Sequence, residues 1–294
     1  MRDKVVLITG AARGIGAAVA RAMVQEGARV ALVGLEPALL EALARDLGAA
    51  AAWWRADVTD QAALDAAVSA AHAHFGRIDI VITNAGIANF GTVAIADVEA
   101  MARVVNVNVV GTIRTVKAAL PHLIATKGYV LIVSSAAAFT AMPGMSAYAT
   151  SKAAVEQFAN VLRIEMTPHG VDVGSAHMLW IDTDMVRDVQ HDLSSFRRTL
   201  AMLPYPFGVV TSLEDCTAAF VRGCQRRSRK VFVPRALGVF SGLRQVLGGA
   251  MAQRAMLPKM APMLGEAEAE MQKVGRSFGE HSVGMGDESP TPGA

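Results

Sequence analysis

Directly after the apolar run Val5-Val6-Leu7-Ile8-Thr9 the chain reads Gly10-Ala11-Ala12-Arg13-Gly14-Ile15-Gly16. A buried strand that stops in glycines and restarts at once as a helix constrains the fold more than any other feature of this sequence. Gly10 permits the tight turn, Gly14 lets the backbone come close to a pyrophosphate, and Gly16 lets the helix pack against the strand. The first N–H groups of the helix then face outward as donors for phosphate oxygens. The rest of the chain repeats the same grammar, with short apolar runs alternating with amphipathic segments, as βαβ units around a parallel sheet require.

The runs fall at 5–9, 28–33, 51–56, 78–83, 129–134, 171–176 and 231–233. Between them the spacing predicts helices to about Glu26, from Pro37, from just after Asp57 to about Phe75, and from about Asp97 through Val104 to Ala125. Two more follow, one from Tyr148 to near His169-Gly170 and one around 213–224. The expected fold is α/β, a doubly wound, mostly parallel seven-stranded sheet over residues 1–234. A basic amphipathic helical extension over 235–283 and a disordered tail over 284–294 are expected to follow.

A chain of 294 residues, 52% of them hydrophobic, can bury a large core, which argues against disorder for most of its length. Cys216 and Cys224 lie two helical turns apart on one predicted helix, too far to bridge, so a reducing, cytoplasmic setting is expected. The opening MRDKVVLITG has too short an apolar run for a secretory signal, and no stretch reaches the length of a membrane span. The seven histidines show no ligand spacing with cysteine, so no metal site is expected.

Tyr148-Ala149-Thr150-Ser151-Lys152 sets a phenol and an ammonium four apart among small residues. On a helix the two side chains stand on one face, within reach of one substrate. With Thr9-Gly10 to Gly16, Asn84-Ala85-Gly86 and Ser135 in order before it, the chain resembles the short-chain dehydrogenase/reductase family over roughly residues 3 to 234.

That resemblance implies a Rossmann fold and an NAD(P)(H)-dependent interconversion of a secondary alcohol and a ketone, with Asn108, Ser135, Tyr148 and Lys152 as the catalytic set. Asn106 is the less favoured neighbour of Asn108. Tyr148 would be the general acid/base, its pKa drawn toward neutrality by Lys152 and by the oxidised nicotinamide. Ser135 would hydrogen-bond the reacting oxygen, Lys152 would hold the nicotinamide ribose, and Asn108 would order a water that relays protons. The implied cofactor contacts are Gly10, Arg13, Gly14, Ile15, Gly16, Leu35, Asp57, Val58, Asn84, Ala85, Gly86, Tyr148, Lys152, Ile181 and Thr183. A dinucleotide-binding regulatory or scaffold protein without turnover is the alternative.

The sequence departs from the family pattern in two places. Gly34 stands where relatives that use NAD carry an acid, and Leu35 where relatives that use NADP carry an arginine. Arg13 could pair with a 2′-phosphate, which tips the expectation slightly to NADP(H), while Glu36 either opposes that phosphate or caps the helix begun by Pro37. After the sixth strand, Met178-Leu179 replaces the usual Pro-Gly. His177 beside it is read as a loop histidine satisfied by backbone, with substrate contact as the lesser reading.

The segment after Thr183 is expected to be a substrate lid; it contains Leu200, Met202, Leu203, Pro204, Tyr205, Pro206 and Phe207, which with Trp180 suggest a roomy apolar pocket for an alicyclic, steroid-like, terpenoid or long-chain substrate. The alternative is that they pack the lid on the core or on a partner. From Cys216 to Gly265 there is no Asp or Glu but nine basic residues, interleaved with Val239, Phe240, Leu243, Val246 and Leu247 at helical spacing. Such a segment can close an interface, pack on its own domain, or touch an anionic membrane surface through 235–260. The expected partners are a small apolar alcohol or ketone and further copies of the chain, as homodimer or homotetramer. Nucleic acid is not expected, because no aromatic platform accompanies the charge.

Overall fold

Runs of β-branched and aliphatic residues buried on both faces build the centre of the molecule, as a parallel sheet covered by helices demands. The computed structural model describes residues 1–244 and 249–279. The strands are β1 (Val5–Thr9), β2 (Arg29–Gly34), β3 (Ala51–Arg55), β4 (Ile80–Thr83), β5 (Tyr129–Val133) and β6 (Asp172–Met178). The short β7 (Trp180–Ile181) and β8 (Val210–Thr211) pair only with each other, and β9 (Lys230–Val233) completes the main sheet. The seven-stranded sheet is parallel throughout, in the order β3-β2-β1-β4-β5-β6-β9. In register, Leu7 lies between Ala31 and Val81. The chain winds outward from β1 through β2 to β3, then returns to the other side of β1 as β4. Gly10 and Asn84 therefore flank the point where the winding reverses, the crevice in which open α/β sheets hold ligands.

The helices before the extension are α1 (Gly14–Gln25), α2 (Pro37–Leu47), α3 (Gln61–Phe75), α4 (Val98–Val105), α5 (Gly111–Thr126), α6 (Ser146–Met166), α7 (Asp184–Asp192), α8 (Ser194–Met202) and α9 (Leu213–Gln225). One face of the sheet packs Val6, Ile8 and Leu32 under α1, α2 and α9, and the other packs Leu7, Val81 and Ile132 under α3, α5 and α6. Leu7, Ile8, Leu32 and Leu131 are fully buried, each worth roughly 1.5–3 kcal/mol of transfer free energy. Cys216 and Cys224 are buried free thiols in the first of these layers.

Three local expectations are corrected. Met178-Leu179 does not open a turn: β6 runs through Met178, and the Leu179 N–H bonds the Val233 carbonyl at 3.0 Å. His177 is therefore a strand residue with no exposed surface and cannot touch substrate. Helix α3 is capped by Asp60, which accepts from the Ala63 N–H at 3.1 Å, while Asp57 accepts from Thr59 N and Oγ1 at 2.7 and 2.8 Å in a turn of its own.

Beyond the sheet, α10 (Leu237–Gly242) and α11 (Ala250–Val274) form the extension. Part of its basic charge turns inward. Arg244 reaches the buried carboxylate of Glu156 on α6 at 3.1 Å, joined there by Lys230 at 2.7 Å. These cations hold the Glu156 carboxyl below its ordinary pKa against the burial that pushes it up. Leu237 is buried and the Phe240 ring meets Phe207 at 4.9 Å, whereas Val239 and Leu243 are exposed. Val246, Leu247 and the tail lie outside the described residues. Among the described residues no helix is long and apolar enough to cross a membrane.

Candidate active site

Four parallel strands deliver their C-terminal ends to one edge of the sheet, and the chemistry-bearing side chains gather there. After β1, Gly10 and Gly14 take φ of +63° and +52°, a region where glycine is unstrained. A Cβ on Gly10 would lie 2.8 Å from Ala85 Cα, and one on Gly16 would overlap the Gly10 carbonyl and approach Asn84 Nδ2 to 2.7 Å. Asn84 secures the turn from the other strand, donating to Thr9 O at 3.1 Å and Gly10 O at 3.0 Å. The N-terminus of α1 has no side-chain cap, so its outward N–H groups await an anion. Gly14 has only Thr183 within 4 Å of where a Cβ would sit. This cradle fits the pyrophosphate and nicotinamide half of a dinucleotide.

Beside the glycine turn, Arg13 and Glu36 pair at 2.6 Å. Glu36 occupies the N-cap position of α2 but makes no capping hydrogen bond, so its carboxylate serves the ion pair rather than the helix. Leu35 is half-buried on the same loop, and Val58 is buried against Gly111.

Asn108 is placed by an irregularity. Between α4 and α5 the backbone forms one π turn, Asn106–Val110, in which the Gly111 N–H bonds the Asn106 carbonyl five residues back. The buried Asn108 amide donates to Ile87 O and to Ser151 Oγ, both at 2.9 Å, and its Oδ1 accepts from Ile87 N at 2.9 Å. The side chain thus ties the segment after Gly86 to the helix that carries Tyr148 and Lys152.

On α6, Lys152 is 4% exposed and donates to Val133 O at 3.0 Å, with its Nζ 5.5 Å from the centre of the Tyr148 ring. Burial brings the Lys152 pKa down to about 8. Burial also pushes the Tyr148 phenol up, against a hydrogen bond from Ser135 that draws it down. Ser135 caps a short turn through Ala137 N at 3.2 Å and reaches Met178 O at 3.3 Å. Behind it His177 bonds Ser175 Oγ at 2.9 Å, stacks on Phe232, and is kept neutral by burial, its pKa brought down to about 4.

Ser135, Tyr148, Ile15, Ile181 and Thr183 line one cavity that opens to solvent. The remaining walls are apolar and include Phe90, Met142, Met145, Trp180, Met185 and Phe196. The walls come from Trp180 and from α7 and α8, within the segment after Thr183 expected to form the lid; of the residues singled out there, Met202 and Tyr205 are exposed and Phe207 turns toward α10, accepting from Trp180 Nε1 at 3.0 Å. Phe90 and the two methionines before Tyr148 escaped the sequence reading. The run Phe139 to Met145, apolar for a loop beside the Tyr-Lys helix, was the signal available. Among the described residues no group of three or more His, Cys, Asp or Glu side chains could hold a metal ion.

Comparison with known proteins agrees with this geometry. The family model described as short chain dehydrogenase matches residues 4–194. The 2-(S)-hydroxypropyl-CoM dehydrogenase 3 of Xanthobacter autotrophicus is 37% identical over 227 residues, 75% of this chain and 89% of that protein. The trans-4-hydroxycyclohexanecarboxylate dehydrogenase of Sinomonas cyclohexanicum is 33% identical over 192 residues, 62% of this chain and 74% of that one. Among solved structures, a 3-ketoacyl-(acyl-carrier-protein) reductase from Brucella melitensis complexed with NADH superposes with a TM-score of 0.71 at 28% identity, covering 79% of this chain and 97% of that chain.

Proposed function

The chain belongs to the short chain dehydrogenase family and is an oxidoreductase that binds a nicotinamide dinucleotide; on that premise we propose that it interconverts an uncharged, bulky apolar secondary alcohol and its ketone. The observation that carries this reading is the cavity itself. Ser135, Tyr148 and Thr183 stand in a wall that otherwise offers methionine, aromatic and aliphatic side chains, with no Asp, Glu, Lys, Arg or His among its lining residues. A charged substrate would lose its hydration there without a partner, at a cost of several kcal/mol.

In this reading Tyr148 donates its proton to the carbonyl oxygen on reduction and takes it back on oxidation, while the Ser135 hydroxyl donates a hydrogen bond to the same oxygen. The nicotinamide, when bound, supplies or accepts the hydride. Lys152, close to Gly86 and to Tyr148, holds the ribose and stabilises phenolate. Asn108 keeps Ile87 and Ser151 in place around Lys152. Gly10, Gly14 and Gly16, with Ile15, Asn84, Ala85, Ile181 and Thr183, shape the cofactor cradle.

The finer cofactor preference we assign to NAD(H). Sequence alone tips toward NADP(H) because of Arg13, but Glu36 holds that guanidinium at 2.6 Å, and a 2′-phosphate would have to displace the carboxylate. We also assign a homo-oligomer to the exposed Val105, Ile113, Val161 and Ile164 on α4, α5 and α6. A dinucleotide-binding scaffold without turnover would have no use for Ser135 and Tyr148 converging on an apolar cavity. The test is a panel of secondary alcohols and ketones, small to steroid-sized, assayed with NAD(H) and NADP(H). Turnover restricted to charged substrates, or turnover that survives Tyr148→Phe, would overturn the reading.

A further inference from the structure

The end of α11 and the residues after it run back over the lid. Phe90 N donates to Ser277 O at 3.0 Å, and Asn89 and Phe278 form an antiparallel bridge. Glu268 accepts from Thr92 Oγ1, and Glu270 accepts from Ser194 Oγ, from Ser195 Oγ at 2.6 Å and from Ser195 N at 3.0 Å. Arg198 reaches Glu266 at 2.7 Å and Arg276 reaches Asp192 at 2.6 Å. The segment is thus strapped to α7, to α8 and to the loop after β4. Beneath it lies a second, small recess that opens to solvent, walled by Met271, Val274 and Phe278 of the strap and by Phe90, Val189 and Leu193. Phe90 and Val189 are walls of both the cavity and the recess.

We propose that this strap, residues 268–279, builds the distal compartment of the substrate pocket and sets the length of an elongated, uncharged aliphatic or fused-ring alcohol or ketone. The proposal rests on the reading of the site given above. Ile15, Ile181 and Thr183 assign one end of the larger cavity to the nicotinamide, so that a substrate bound at Tyr148 can lengthen only away from them, toward Phe90 and Val189. Past those two side chains the next walls belong to the strap. The charges that border the recess are Arg276 and Asp192, already paired with each other, so the compartment suits a neutral chain end rather than an anion. The strap lies beyond the 4–194 span that the family model matches.

The experiment uses the full-length protein and a homologous series of methyl ketones from butanone to tetradecanone. Binding is read by Trp fluorescence and kcat/KM by turnover with NADH. In the wild type both should improve with chain length. Val274→Trp, which fills the compartment, should lower kcat/KM and affinity for the longest ketones about tenfold, the scale of a few methylenes excluded from an apolar pocket, and leave butanone within about twofold. Phe278→Ala, which enlarges the compartment, should move the optimum to longer chains. Equal losses at every length in Val274→Trp, or a wild-type profile that ignores length in both readouts, would overturn the proposal while leaving the reaction class untouched. Length-dependent binding without turnover of any ketone would sink the reaction class and sustain the compartment.

Discussion

The two walls of this active site are held by different means. The cofactor wall is backbone: Gly10, Gly14 and Gly16 folded against β1, and Asn84 donating to the carbonyls of Thr9 and Gly10. The substrate wall is held by side chains of α7 and α8 pinned to a strap some 75 residues away, through Glu270 on Ser194 and Ser195 and Arg276 on Asp192. A backbone wall tolerates almost no change, because its contacts lack a flexible end that could yield. A pinned wall loses one contact at a time, and so it can be retuned for a different substrate without disturbing the chemistry.

The contrast can be broken most forcefully at the reacting group. Tyr148→Phe should lower kcat by about 10² to 10⁴-fold, the usual share of general acid/base catalysis, with cofactor affinity within a few-fold. Lys152→Ala should damage both, which steady-state kinetics and cofactor titration will separate. Next comes the backbone wall: Gly16→Ala drives a methyl into the Gly10 carbonyl and should cost about 1–3 kcal/mol of stability, with loss of dinucleotide binding. A denaturant melt showing an unchanged midpoint would mean that the cradle yields after all. Of similar size is Glu36→Ala, which removes the carboxylate paired with Arg13 and should shift the preference toward NADP(H) by about 1–2 kcal/mol. Equal effects on both cofactors would show that the pair lies outside the adenosine site.

Two smaller effects sharpen the comparison. Burial raises the Tyr148 pKa, so the phenol stays protonated through neutral pH. Ketone reduction should therefore hold across that range and fall only as the phenol ionises, while alcohol oxidation rises over the same span. Profiles of kcat/KM in both directions will show it, and parallel profiles would place control elsewhere. Glu270→Ala on the pinned wall should cost about 0.5–1.5 kcal/mol or less, the worth of ordinary hydrogen bonds. Its signature should be a raised KM for bulky substrates with kcat retained.

The same contrast explains what could be read in advance. The sheet, the glycine turn and the Tyr148 to Lys152 pair are local patterns, because a strand, a turn and one helical step each span a few residues. His177 was misplaced because the missing Pro-Gly left no sign of whether the strand stopped or continued, and β9 settled it by offering Val233 O to Leu179 N. Within the lid segment, the residues singled out as pocket walls were misassigned for the opposite reason. Leu200 to Phe207 look apolar enough for a pocket, yet Met202 and Tyr205 face solvent and the walls come from one turn earlier, where Glu270 fixes α8. A contact between residues 195 and 270 leaves no trace in either stretch alone.

The π turn at Asn106–Val110 makes the long helix behave as a gearbox. An α-helix turns about 100° per residue, so one surplus residue offsets everything before it against everything after it. Val104 points into the cluster with Ile87 and Ala147, while Val116 and Leu123 join the buried layer against the sheet. Deleting a single residue between 106 and 110 would give a more regular helix. It would also swing α4 out of mesh, withdrawing Asn108 from Ile87 and Ser151, so the straighter protein should be the less active one.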